Sequence, residues 1–113
     1  MNLIKDTVIN NNYLTPTEFY LSQNYPNPFS EKTTIKFCVA YKTKVKLEVF
    51  NAEGEMIKVL LDEEKEAGTY EVEFLTVGMR HASSAIMAIP AGVYYYRLEA
   101  GDFNETKEMI LLR

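Results

Sequence analysis

The sequence has no tryptophan, one histidine (His81), one cysteine (Cys38) and four prolines among its 113 residues. A single cysteine excludes an internal disulfide, and by itself says nothing of the redox compartment. A single histidine excludes a multi-histidine metal site. No apolar run approaches the roughly 20 residues that a membrane-spanning helix needs. No glycine-rich phosphate cradle, CxxC pair or GxSxG elbow occurs. Twelve basic residues stand against sixteen acidic ones, for a net charge of −4 and no basic stripe, so nothing draws the chain towards nucleic acid or anionic lipid. The opening MNLIKDTVINNNYLTPTEF carries one lysine and no continuous apolar core, so it does not read as a signal peptide. An exported form would need its targeting peptide on a longer precursor.

What is present is a globular balance, 47% hydrophobic and 25% charged, which argues for one folded domain with a single core. Eight tyrosines and six phenylalanines favour strands. Residues 1–17 read as a linker or loose arm, with Asn10–Asn12 and Pro16 as breakers, and residues 18–113 as a β-sandwich. Glu18–Ser22 is a short candidate strand. Thr33–Val39 alternates, with Ile35, Phe37 and Val39 on one face and Thr34, Lys36 and Cys38 on the other. Lys44–Phe50 does the same with Val45, Leu47 and Val49 inward. Asn51–Glu55 is a hairpin turn in which Gly54 supplies the positive backbone angle. The return strand, Met56–Leu61, is expected to turn Ile57, Val59 and Leu61 inward.

An acidic turn, DEEKEAG, then leads into Gly68–Phe74, where Tyr70, Val72 and Phe74 share a face. Gly92–Ala100 and Asn104–Leu112 form the last pair around Gly101–Asp102. Seven candidate strands without an amphipathic helix predict an all-β, immunoglobulin-like antiparallel sandwich. Leu75–Ala91 is long for a connection inside a compact domain. It reads as an extra strand, a helical turn or an edge cover, acting as a lid over the core or as a partner surface.

Candidate chemistry is thin. Cys38 and His81 would make a nucleophile–base pair only if the fold brought together a mid-strand thiol and a loop imidazole. The plainer reading is a free thiol and a surface histidine. Asp62, Glu63, Glu64 and Glu66 lack the ligand spacing of a calcium loop, and read as a solvated turn. Tyr94 and Tyr96 share a parity with Leu98 and read as core. Tyr95 faces the other way, which leaves a sugar-stacking platform open beside the structural role.

The segment LSQNYPNPFSEKTTIKF places Pro26 and Pro28 between Tyr25 and Phe29. Without amide donors, the prolines end the first short strand, and each pushes the residue before it towards extended backbone. A stiff crossing from one sheet to the other is predicted, pinned to the end of the core by Tyr25 and Phe29. Recognition by a partner is a second role open to the same residues.

In order along the chain, this segment, VKLEVFNAEGEMIKVL, EAGTYEVEF, PAGVYYYRLEAG and KEMILLR resemble the type A C-terminal sorting domain of type IX (Por) secretion substrates, found in Bacteroidetes and neighbouring groups. The strand pattern also resembles the immunoglobulin-like domain of flagellar hook-capping proteins. The first resemblance implies a C-terminal secretion signal with no catalytic residues and no cofactor. A passenger fused at its N-terminal side would be carried through the periplasm and across the outer membrane by a translocon. A sortase-like peptidase would then cut the domain away, leaving the passenger secreted or at the cell surface. It also implies no nucleic-acid partner and no membrane insertion. The matching motif residues are Asn24, Tyr25, Pro26, Asn27, Pro28 and Phe29, Gly54, Gly68 and Tyr70, then Gly92, Val93, Tyr94, Tyr96 and Arg97. Lys107, Met109, Leu111, Leu112 and Arg113 match the terminal strand, where translocon recognition is expected by pairing with an accessible edge. An immunoglobulin-like interaction module and a carbohydrate-binding module are the alternative readings.

Overall fold

The structure is a computed structural model and describes residues 16–76 and 89–112. Its strands are β1 (Tyr20–Leu21), β2 (Lys32–Val39), β3 (Thr43–Phe50), β4 (Met56–Lys65), β5 (Gly68–Leu75), β6 (Gly92–Ala100) and β7 (Phe103–Leu111). They form a three-stranded sheet, β1-β2-β5, and a four-stranded sheet, β4-β3-β6-β7. Every strand pair is antiparallel. The expected sandwich of seven strands is therefore present, with no helix among the described residues.

Period-two alternation explains the layers. In β2, Ile35, Phe37 and Val39 are fully buried while Lys32 and Lys36 face water. Val45, Leu47 and Val49 of β3 meet Tyr94, Tyr96 and Leu98 of β6 in one cluster with Phe74, Met109 and Leu111. Tyr94 and Tyr96 are thus core, as their parity with Leu98 implies. Each buried side chain of this size contributes about 1.5–3 kcal/mol to the fold. Outward lysines and glutamates pair across strands, as in Lys32–Glu73 and Lys36–Glu71 at 3.6 Å, and such exposed pairs contribute little.

The Asn51–Glu55 turn forms as expected. Asn51 Oδ1 accepts the Glu53 and Glu55 amides at 3.0 and 2.9 Å, and Gly54 takes φ +90°. At Gly101, φ is +59° and an added Cβ would lie 3.0 Å from the Tyr41 hydroxyl, so glycine serves both backbone and space.

Three expectations are corrected. The first strand is only Tyr20–Leu21, shorter than Glu18–Ser22. β4 does not stop at Leu61: Asp62, Glu63 and Glu64 continue the ladder opposite Lys46, Val45 and Lys44, with Lys44 Nζ 3.5 Å from Asp62. Facing lysines let an acidic run stay extended, so it is strand and not turn. The inward set of β4 also differs. Register shifts opposite Leu47/Glu48 and Val49/Phe50 insert bulges that reset the alternation. Ile57 and Val59 are consequently 36% and 43% exposed, while Leu60 and Leu61 pack against the core.

Within the Leu75–Ala91 connection, residues 77–88 lie outside the described residues, so its expected lid or partner role is not placed. Its entry is tied down: Thr76 is buried, donating its amide to Glu31 O at 2.8 Å and its hydroxyl to Ser30 O at 3.1 Å.

Candidate functional site

The proline-rich opening and the terminal strand meet. From β1 the chain follows β2 for a few residues, with Tyr25 and Thr34 exchanging two backbone hydrogen bonds of 2.9 Å. The Tyr25–Pro26 and Asn27–Pro28 peptide bonds are both cis. The chain then crosses to the other sheet, where Phe29 bridges Leu111 in parallel, and returns to begin β2. The crossing is therefore a loop out to β7 and back, not a one-way transfer.

A buried polar network sets its path. Asn24 is buried and donates through Nδ2 to Thr33 Oγ1 at 2.9 Å and to Pro26 O at 3.1 Å; Thr33 Oγ1 donates to the same carbonyl at 2.8 Å. The Asn24 amide donates to the Tyr96 hydroxyl at 2.8 Å, and that hydroxyl donates to Ser22 O at 2.6 Å. Burial pushes the Tyr96 phenol up to about 12 from 10.0, against the bond from Asn24, which lowers it. The phenol stays neutral and serves as a fixed bridge under the segment.

Only one of the two flanking aromatics pins the crossing. Phe29 is 2% exposed and packs edge-on against Phe74 at 6.1 Å. Tyr25 is 79% exposed, because it pairs opposite Thr34, an outward residue of β2, and directly opposed residues share a face.

Four hydrogen bonds fasten this segment to β7. Gln23 Nε2 donates to Glu108 O at 2.6 Å, and the Ile110 amide donates to Asn27 Oδ1 at 2.9 Å. The Phe29 amide donates to Ile110 O at 3.0 Å, and the Leu112 amide to Phe29 O at 2.7 Å. β7 is the edge of its sheet, yet the last part of that edge is covered by the chain's own opening segment. The expectation of an accessible edge thus fails for Glu108–Leu112.

The terminal-strand residues divide by parity. Met109 and Leu111 are buried in the core, and Lys107 is half-buried beside Glu105 at 3.2 Å. Leu112 is 51% exposed, and Arg113 lies outside the described residues. Of the other motif positions, Gly68 opens β5 and Tyr70 stacks on Phe37 at 5.4 Å while donating to Glu66 O. Gly92 opens β6, Val93 is half-buried, and Tyr94 donates to Pro90 O. Sequence reasoning missed Gln23 and Ile110. Ile110 carries a parity signal, being the outward residue between two buried ones. Gln23 carries none, since its partner lies 85 positions away.

On the outer face of the four-stranded sheet, Arg97 donates to the buried Glu48 at 3.2 Å and lies 4.8 Å over the Phe50 ring, 3.5 Å from Glu99. Tyr95 is half-buried and shares with Phe50 and Arg97 a shallow cup of about 260 Å³. Because Arg97 already covers Phe50, the cup offers little of the flat aromatic surface that a sugar ring stacks upon.

Cys38 is a free cysteine with Sγ 3.6 Å from Thr69 Oγ1, and His81 lies outside the described residues, as does any pairing between them. No group of three metal-ligating side chains occurs among the described residues.

Residues 23–112 match the profile of the secretion system C-terminal sorting domain. The chain belongs to that family. Its members are C-terminal signals for type IX secretion, and the family is one of signals and not of catalysts. Membership marks the chain as a signal for secretion to the cell surface or the extracellular space. Among solved structures, the sorting domain is similar to a part of dimeric latent PorU from Porphyromonas gingivalis, at a TM-score of 0.59 and 17% identity. That alignment covers 88% of this chain and 10% of the PorU chain, so the likeness is one of fold and the sorting domain spans about a tenth of PorU's length. No curated protein matches.

Proposed function

We propose that residues 18–113 act as a folded address label, with residues 1–17 a linker to the passenger. The passenger crosses the periplasm, an outer-membrane translocon reads the label, and a sortase-like peptidase then cuts at or before the linker. The domain itself catalyses nothing, and needs no cofactor, nucleic acid or membrane insertion. The observation that carries this reading is the direct fastening of the Asn24–Phe29 segment to the terminal strand. The two stretches that give the family its most specific signature make one continuous surface at the same end of the sandwich.

In this reading the motif residues have two kinds of work. Asn24, Phe29, Tyr70, Tyr94, Tyr96, Met109 and Leu111 are buried or half-buried and hold the label in shape, and Gly54 sets a turn. Tyr25, Pro26, Asn27, Pro28 and Leu112 are exposed and free to be touched. Lys107 and Arg113 remain candidates for the same contact.

A secreted reporter fused to residues 1–113 tests it in a host with a working type IX system and in an otherwise identical host without the translocon. Extracellular reporter in the first and periplasmic reporter in the second is expected. Equal release from both would defeat the proposal. Deleting Met109–Arg113 is a poor probe, because it removes two core residues together with the strand. Leu112→Asp, at an exposed position, separates recognition from folding.

A further inference from the structure

Four strands lie at the edges of the two sheets, β1, β5, β4 and β7, and they are not equivalent: β1 spans only Tyr20–Leu21. β4 is interrupted by two bulges and carries the Asp62–Glu64 run, both of which discourage an added strand. β5 alternates Glu71 and Glu73 on its outer face. β7 pairs with β6 through nine residues in unbroken register, without a bulge.

Antiparallel pairing alternates its backbone groups between the two sides of a strand. Ile110 and Leu112 aim their amides at the opening segment, so Met109 and Leu111 aim theirs at β6, opposite Tyr94 and Gly92. Following the same parity back along the strand, Asn104 and Thr106 point their N–H and C=O groups outward, as does the Glu108 amide. Among the described residues, no strand pairs with that side of β7. The outer edge is therefore split: covered from the Glu108 carbonyl onward, and open from Asn104 to the Glu108 amide. The Gly101–Asp102 turn bounds the open part at one end and the Gln23 side chain at the other.

We propose that this open half-edge, Asn104–Glu108, is a strand acceptor on which one extended segment of the secretion machinery adds as a fifth strand. The inference rests on the reading of the domain as a type IX label and names where on it the machinery pairs. The covered half supports the choice of occupant, since the same edge already accepts extended backbone from Phe29 in parallel. A segment entering beside Gln23 would continue that line of pairing. Main-chain bonds would supply the attraction, so the site would tolerate varied side chains, as a signal shared by many passengers requires.

Proline substitution separates this from folding. Thr106→Pro deletes only an outward amide, and proline is tolerated where an edge strand faces away from its neighbour. In the reporter fusion, Thr106→Pro is expected to lower export about tenfold or more, with Thr106→Val unchanged and both domains giving wild-type circular dichroism. A folded Thr106→Pro domain exported at the wild-type rate overturns the proposal.

Amide exchange on the unsubstituted domain is an arm that needs no variant. Asn104, Thr106 and Glu108 should exchange freely, while Ile110 and Leu112 are protected. Equal protection across all five would mean that a second copy or the chain's own arm already covers the acceptor, which also overturns it. If the unsubstituted fusion is not exported at all, the type IX reading is what fails, and the exchange result stands apart from it.

Discussion

The hydroxyl of Tyr96, on the central strand β6, is held between the Asn24 amide and the Ser22 carbonyl, so the core of one sheet directly supports the opening segment beside the other. Tyr96→Phe keeps the ring and removes only the bridge. A buried amide and a half-buried carbonyl would then lack this partner, and the expected loss of stability is about 1–3 kcal/mol, measured by denaturant unfolding.

The same hydroxyl gives a pH signature. Its pKa is raised in the fold to about 12 from 10.0, chiefly by burial, so the folded state keeps the proton that the unfolded chain gives up. The bridge's stabilisation is therefore complete below about pH 10 and is lost as the pH climbs from 10 towards 12. Wild-type and Tyr96→Phe unfolding curves should differ most at neutral pH and converge across that interval. A gap that stayed constant to pH 12 would show that the hydroxyl does not titrate as a buried group.

Phe29 anchors the other end of the segment. Its ring is nearly inaccessible and packs on Phe74, and its backbone supplies two of the four bonds to β7. Phe29→Ala should cost about 3–5 kcal/mol, a large part of the 5–15 kcal/mol that a domain of this kind possesses. Substitution of the exposed Tyr25 by alanine should leave the melting temperature nearly unchanged. The contrast between two aromatic neighbours of the same motif is the result to measure.

Glu48 is a buried carboxylate whose charge is met by Arg97. Arg97→Ala should destabilise the sheet by about 1–3 kcal/mol, because the carboxylate is left without its partner. Adding Glu48→Val to that variant should recover part of the loss, as the charge no longer needs a partner and the strand gains a β-branched residue. A double-variant cycle with no coupling would mean that the pair is incidental.

Much of the fold is written locally. Alternation in TTIKFCV, KVKLEVF and GVYYYRLEA gives the strands and their inward faces, because a half-buried strand has to separate apolar from polar residues every second position. β4 escapes that logic. Its bulges, at Leu60 and Ile57, are set by how it lies against β3, and each one reverses the alternation of MIKVLL. The exposed Tyr25 escapes it too, since an aromatic beside proline gives no sign of which way its ring will turn. The least legible feature is the most relevant to recognition. The bonds from Gln23, Asn27 and Phe29 to β7 join positions more than 80 residues apart, and each end reads alone as a loop or a plain strand.

Those bonds can be tested one at a time. Asn27 Oδ1 is the acceptor for the Ile110 amide, whereas the Leu112 amide uses the Phe29 backbone. Asn27→Ala should therefore speed exchange at Ile110 by about tenfold, the equivalent of one lost hydrogen bond. Leu112 should change less, and Met109 and Leu111, which pair with β6, should stay as they were. Asn27→Asp retains an acceptor oxygen and should restore protection at Ile110. If all four amides accelerated together in Asn27→Ala, the segment would be holding the whole strand in place. If none did, the side chain would contribute nothing to the cover over the edge, and Phe29 alone would close it.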